Sequence, residues 1–228
     1  MAALSMTVQG RSGDKPAEIE IDSLVIAGWA GRNREAMEHH VAELEALGIA
    51  RPRSMPTFYR VSPARLTTDA TVHATGGSSS GEAEIVVFSS GGEHFVGLGS
   101  DHTDRKVEAY GVTVSKQMCD KPVARTVWPL DEVLPHWDRL ILRSHIVENG
   151  GRVLYQQGTV AELLSPLDLI ERFTGGRALP SGTAMFCGTL PAIGGVRPSG
   201  TFEGEVEDPV LGRAIRFRYD VAGLEDAG

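Results

Sequence analysis

From residue 51 onward the chain is a succession of short apolar runs, "PTFYRV", "EIVVF", "HFVGLG", "LILRSHIV" and "AIRFRYDV", each closed by Gly, Pro, Ser or Asn. Runs of that length suit strands bounded by turns and are too short for helices, so the body is predicted to be β-rich. Upstream, "AEIEIDSLVIAGWAG" alternates and then runs apolar, as a strand ending in a Gly-bounded turn does. A helix is predicted over "REAMEHHVAELEAL", with Asn33 placed to cap it and Gly48 to end it. A second spans "GTVAELLSPLDLIERF", with Pro166 as its expected break. The fold class that follows is α+β, a mixed sheet with an N-terminal helix laid on it.

A chain of 228 residues holds one sizeable core. A single domain over residues 18–228 is expected. "MAALSMTVQGRSGDKPAE" lacks the basic start and apolar centre of a signal peptide, so residues 1–17 are expected to form a flexible leader. No apolar run approaches the ~20 residues of a membrane span. The net charge of -8, with no Lys/Arg cluster, argues against nucleic-acid and anionic-membrane partners. Cys119 and Cys187 are far apart and form no C-x-x-C, so free thiols in a reducing cytoplasm are expected.

The chemistry concentrates in a few places. In "GEAEIVVF", Glu82 and Glu84 share a strand face with Val86 and Phe88, while Ala83, Ile85 and Val87 take the other. Two carboxylates entering an apolar layer side by side are costly unless a cation lies between them or one holds a proton; the alternative, favoured for an arbitrary E-x-E at a strand start, is a strand whose first residues stay in water. Asp101, directly after the Gly-rich apolar run "GLGS", is a third candidate. Together the three make a hard, all-oxygen set suited to Mg²⁺ or Mn²⁺. His102 in the same turn is expected to be a hydrogen-bonded structural residue. Asp104 and Arg105 are expected either to pair with each other or to serve the site.

On the first helix, Met37, Val41 and Leu44 form the apolar stripe, and His40 and Glu43 lie on its flank three positions apart. A His held by a carboxylate is a base for drawing a proton from water, although on spacing alone a surface ion pair is the favoured reading. Lys116 in "VTVSKQMCDKP" has the neighbours of a surface lysine. In "MFCGTLPAIGG", Gly188 and Thr189 follow an apolar strand and precede a Pro/Gly-rich loop, where N–H groups and a hydroxyl can bind an anion.

Taken in order, "AGWAGRN…HHVAE", "MPTFYRVSPARL", "GEAEIVVF", "GLGSDHTDRKVE", "VSKQM", "ENGGRVLYQQGT" and "ALPSGTAMFCGTLPAIGG" resemble the fumarylacetoacetate hydrolase superfamily over roughly residues 25 to 219. The wording "SDHTDR" and "SKQMC" is similar to a bacterial subfamily known only as a domain of unknown function. The resemblance implies the β-sandwich roll of that superfamily's C-terminal type. It further implies that Glu82, Glu84 and Asp101 bind a divalent metal, usually Mg²⁺, and that His40 and Glu43 activate water. Lys116 and Arg105 match substrate and enolate contacts, and Thr189 matches the residue that binds the substrate carboxylate. Arg60 stands where a lysine is usual and Glu108 where many members have a glutamine, both in substrate-contacting positions. Extra residues lie between Asn33 and His40, and Leu190 intervenes between Thr189 and Pro191.

The activity implied is hydrolysis of a carbon–carbon bond in an acylpyruvate-like 2,4-dioxo acid by a homodimeric enzyme, with a small oxo acid as its partner. Decarboxylation or hydration of a 2-oxo acid on the same site is the alternative. A non-catalytic ligand-binding protein is the alternative from another class.

Overall fold

The computed structural model describes residues 1–46 and 51–227. The chain opens with an antiparallel hairpin, β1 (Ala2–Gly10) and β2 (Gly13–Ile21), followed by β3 (Ser23–Gly28) and helix α1 (Arg34–Ala46). β4 (Thr57–Val61), β5 (Leu66–Thr67), β6 (Thr71–Thr75) and β7 (Ser79–Ser80) lead to a long hairpin, β8 (Ala83–Ser90) and β9 (Glu93–Ser100). A compact segment follows: β10 (Thr103–Asp104), α2 (Arg105–Glu108), α3 (Val112–Met118) and β11 (Lys121–Pro122). Next come β12 (Thr126–Pro129), α4 (Leu130–Val133), β13 (Ile141–Glu148) and β14 (Gly151–Thr159). The chain finishes with α5 (Pro166–Thr174), β15 (Thr183–Thr189), β16 (Thr201–Asp208) and β17 (Arg213–Leu224).

Two sheets carry the architecture. One has eight strands in the order β2-β1-β12-β9-β8-β15-β3-β4, and the other has five, β14-β13-β16-β17-β6. Strand β8 lies near the centre of the larger sheet and is buried on both faces. Ala83, Ile85 and Val87 face the layer between the sheets, with Phe202, Val206, Ile215 and Tyr219. Val86 and Phe88 face a second cluster that contains Leu4, Met6, Ile19 and Ile21. The larger sheet therefore curls until its terminal hairpin covers its own far face. A strand with no wet side reads as a continuous apolar run, as "EIVVF" does.

Two local expectations are corrected. The expected flexible leader is hairpin β1–β2: Leu4, Met6 and Val8 point inward at every second residue and are buried, and the turn between Gly10 and Gly13 returns the chain. Pro166 starts a helix and does not break one. The Ser165 hydroxyl accepts from the Asp168 N–H, Pro166 takes the first helical position, where no N–H is needed, and Gly175 at φ 69° ends α5. Helix α1 packs through the buried Val41, with Met37 against Gly31. Gly48 lies outside the described residues. Among the described residues no helix is long and apolar enough to cross a membrane.

Gln156 is one of the side chains that join the sheets. Gln156 of β14, buried, donates from Nε2 to Thr189 Oγ1 (2.7 Å) and to the Leu190 carbonyl (2.6 Å). Its Oε1 accepts from the Ala83 N–H (2.9 Å) and the Ser144 hydroxyl (2.7 Å). All four bonds are lost in Gln156→Leu, which leaves the buried Ala83 N–H without that partner. The expected cost is about 3 kcal/mol, seen as a melting temperature lower by roughly 6–12 °C. An unchanged melting temperature would show that the sheets are not joined there.

Candidate metal centre

The pairing of β8 with β9 builds the site. Ala83 lies opposite Ser100, so Glu82 and Asp101 face each other just beyond the open end of the hairpin, where the Asp101 N–H donates to the Glu82 carbonyl (3.0 Å). Glu84 sits two residues inward from Glu82 on the same face. One carboxylate oxygen from each of Glu82, Glu84 and Asp101 comes together, all within 4.8 Å of one another. Asp101 is wholly buried and Glu84 is 2% exposed. Three hard oxygen donors converging in a poorly solvated place fit a divalent cation.

The positive charge comes from the next segment of chain. Arg105 opens α2 with Nη2 3.0 Å from Glu82 Oε1, an ion contact without hydrogen-bond alignment. Its Nη1 donates to Glu108 (2.9 Å) and its Nε to Ser80 (2.7 Å). Asp104 does not pair with Arg105: its carboxylate caps α2 by accepting from the Val107 N–H (2.9 Å). Lys116, in the last turn of α3, is buried and donates to Asp101 Oδ2, with the Tyr59 ring 5.7 Å from its ammonium. Lys121 of β11 is wholly buried, 3.2 Å from Asp101 Oδ1, and donates to the His102 carbonyl.

These contacts set the protonation states. Burial alone would raise the Asp101 carboxyl, but Lys116 and Lys121 outweigh it and hold it down to about 2. For Lys116, burial works against the charge, and Asp101 with Glu82 overcomes it, so its pKa is raised. Lys121 moves down, because burial, reinforced by Lys116, exceeds what Asp101 returns. Among the described residues Glu84 has no such ion pair. Burial, then Asp101 and Glu82, push its pKa well above the ordinary 4.5, and its Oε2 accepts from the Gly188 N–H (2.8 Å).

The Gly188 contact depends on the backbone. β15 slips register against β8 between Phe186 and Thr189, and at the slip Gly188 takes φ 92°, a left-handed value that glycine adopts without strain. A Cβ there would also come within 2.8 Å of that of Ala30.

The expected site residues divide into three groups. Glu82, Glu84, Asp101, Lys116, Arg105 and Glu108 are brought together. Arg60 and Thr189 are not available as expected. The Arg60 guanidinium lies 4.6 Å over the Phe173 ring and donates to Ser23 Oγ (3.1 Å), so strand alternation turns Tyr59, and not Arg60, toward Lys116. The Thr189 hydroxyl donates to the Ala83 carbonyl (2.9 Å), and the Gly188 N–H is taken by Glu84, so neither donor is free for an anion. The third group is His40 and Glu43, whose side chains lie outside the described residues. His102 is hydrogen-bonded and buried, its Nδ1 2.9 Å from the Tyr219 hydroxyl, which is 2.8 Å from Ser100 Oγ. Lys121 and Tyr59 were not singled out by sequence. Gln156 lies within "ENGGRVLYQQGT", the one sequence signal that points to it.

The profile of a family described as "Protein of unknown function (DUF2848)" matches residues 27–219. No curated protein matches the chain by sequence. Among solved structures, a 2-keto-3-deoxy-D-arabinonate dehydratase complexed with magnesium and 2,5-dioxopentanoate superposes with a TM-score of 0.65 at 14% identity, over 94% of this chain and 78% of that one. A yeast fumarylacetoacetate hydrolase family protein gives 0.56 at 16%, over 89% and 93%. A 4-oxalocrotonate decarboxylase from Pseudomonas putida G7, complexed with calcium and acetate, gives 0.56 at 17%, over 90% and 78%. At these identities the likeness is one of fold.

The raised Glu84 carboxyl makes a prediction for the metal-free protein. A carboxyl whose folded pKa lies above its unfolded one contributes stability that is complete below 4.5 and lost as pH rises through the folded value. In EDTA, Glu84→Gln, which mimics the protonated form, should therefore gain stability over the wild type steadily from pH 4.5 toward neutrality. Thermal melts across that range check it; a gap independent of pH contradicts it.

Proposed function

The chain belongs to the family described as "Protein of unknown function (DUF2848)", and on that premise we propose that it is a metal-dependent enzyme acting on 2-oxo acids. The observation that carries the reading is the convergence of Glu82, Glu84 and Asp101 oxygens within 4.8 Å, with Lys116 buried against them. The reaction we assign is hydrolysis of a carbon–carbon bond in a 2,4-dioxo acid.

Glu82, Glu84 and Asp101 would hold the cation, Mg²⁺ or Mn²⁺. Bound there, such an ion supplies Lewis-acid stabilisation of negative charge developing on the oxo-acid end of the substrate. The protein supplies the rest. Lys116 keeps its proton beside Asp101 and next to the Tyr59 ring, so it can stabilise the departing carbanion or protonate it. His40, paired with Glu43, takes the proton of the attacking water in this reading. Arg105 is committed to Glu82, Glu108 and Ser80, so it acts by fixing Glu82 and offering Glu108, 31% exposed, to the ligand. The names of the dehydratase and decarboxylase that share the fold favour a second reading, loss of water or CO₂ from a 2-oxo acid on the same carboxylates.

Product analysis across 2-oxo and 2,4-dioxo acids with Mg²⁺ and Mn²⁺ separates the readings, since only hydrolysis of an acylpyruvate yields pyruvate plus a second acid. Glu84→Ala should abolish the metal binding that calorimetry detects in the wild type; equal binding would refute the metal assignment. His40→Ala should lower turnover by roughly 10²- to 10⁴-fold with metal affinity nearly unchanged, while His39→Ala changes turnover little. The reverse pattern would show that the helix presents the other histidine.

A further inference from the structure

Three fixed cations and four carboxylates meet around the centre. Arg105 lies between Glu82 and Glu108, and Lys116 and Lys121 both contact Asp101. Among the described residues Glu84 takes one hydrogen bond, from the Gly188 N–H, and makes no ion pair. With every group ionised, these described residues leave one negative charge uncompensated. A divalent cation brings two positive charges, so one would be in surplus. That surplus would sit in a place where Asp101 and Lys121 have no exposed surface, and where charges a few ångströms apart are little screened by solvent. Lys121 makes the difference: without it the same groups would carry two uncompensated negative charges, matched to a divalent ion alone.

We propose that Lys121 couples the two ligands of this centre, weakening the hold on a divalent cation by itself so that the cation and a carboxylate-bearing oxo acid bind together. The inference rests on the metal reading given above and deepens it. Lys121 is a positioning residue here, since it touches Asp101 and the His102 carbonyl and acts through them. A merely structural lysine predicts the opposite sign: if it only orients Asp101, removing it should weaken metal binding. A fixed charge that opposes the metal predicts stronger binding. Coupling between two ligands is reciprocal, so the metal must tighten the oxo acid by the same factor that the oxo acid tightens the metal.

The experiment titrates Mn²⁺ into the full chain by calorimetry at fixed pH and salt, with and without pyruvate, the free metal being corrected for chelation by pyruvate. Three proteins are compared: the wild type, Lys121→Gln, which removes the charge and keeps a donor, and Lys121→Arg, which keeps the charge. In the wild type, pyruvate should tighten Mn²⁺ by about tenfold or more. Lys121→Gln should bind Mn²⁺ alone about tenfold more tightly than the wild type and lose most of the pyruvate effect. Lys121→Arg should behave as the wild type does. Binding by Lys121→Gln that is no tighter than the wild type's overturns the proposal. Should Lys121→Gln not fold, the wild-type titration still decides, because Mn²⁺ affinity unmoved by pyruvate overturns it equally. No Mn²⁺ binding by the wild type under either condition would sink the metal reading together with it, a result distinct from the other two.

Discussion

The contact between Asp101 and its two lysines organises the centre. A lone ionised carboxylate with no exposed surface carries a prohibitive desolvation cost, and the chain meets it by bringing two ammonium groups to the two oxygens. Lys116 arrives on α3 and Lys121 on β11, so the segment after β9 must fold back over the open end of the β8–β9 hairpin. That return path also delivers Arg105 to Glu82 and lets β10 pair with β7. Beyond Asp101 compensation thins out. Among the described residues Glu84 has one backbone N–H and no ion pair, so burial, then Asp101 and Glu82, raise its carboxyl, whereas the two lysines lower that of Asp101.

This imbalance gives the place its chemical character. A carboxylate that is buried, unmatched and within reach of two others is unfavourable in the protein by itself and favourable once a divalent cation arrives. The Gly188 N–H aims Glu84 along the sheet, and Gln156 ties the backbone of Ala83 to Leu190, so the ligand set is held from the core side by elements of both sheets. Rigid support of this kind would preorganise charge for the enolate-forming reaction proposed above. A surface cluster of acids would have no need of it.

The sequence displayed the three carboxylates more clearly than their supports. Glu82 and Glu84 were legible because residues two apart on a strand share a face, and Asp101 because it directly follows an apolar strand; neither inference needed the rest of the fold. Lys121 was not legible. Nothing local in "CDKPVA" marks a lysine as buried, and its partner lies in a different turn, joined through α2 and α3. The placement of Arg60 was not legible for a smaller reason: one residue along a strand reverses the face, and the packing of Phe173 over β4 shows that Tyr59 takes the inner side. Thr189 and Gly188 looked like free anion donors because a register slip, invisible in sequence, turns them onto Ala83 and Glu84. The first hairpin was readable in the alternation of Leu4, Met6 and Val8, and was missed because its second strand begins with exposed, charged residues.

The most direct measurement is an anomalous difference map from crystals of the full chain soaked in Mn²⁺. The account predicts one strong peak about 2–2.5 Å from oxygens of Glu82, Glu84 and Asp101, with the Lys116 ammonium moved aside and Lys121 still on Asp101. A peak at other residues, or no peak with Lys116 still bound to Asp101 at saturating Mn²⁺, would contradict it: Asp101 would then be neutralised by the protein's own lysines, and the three carboxylates would not be a metal centre.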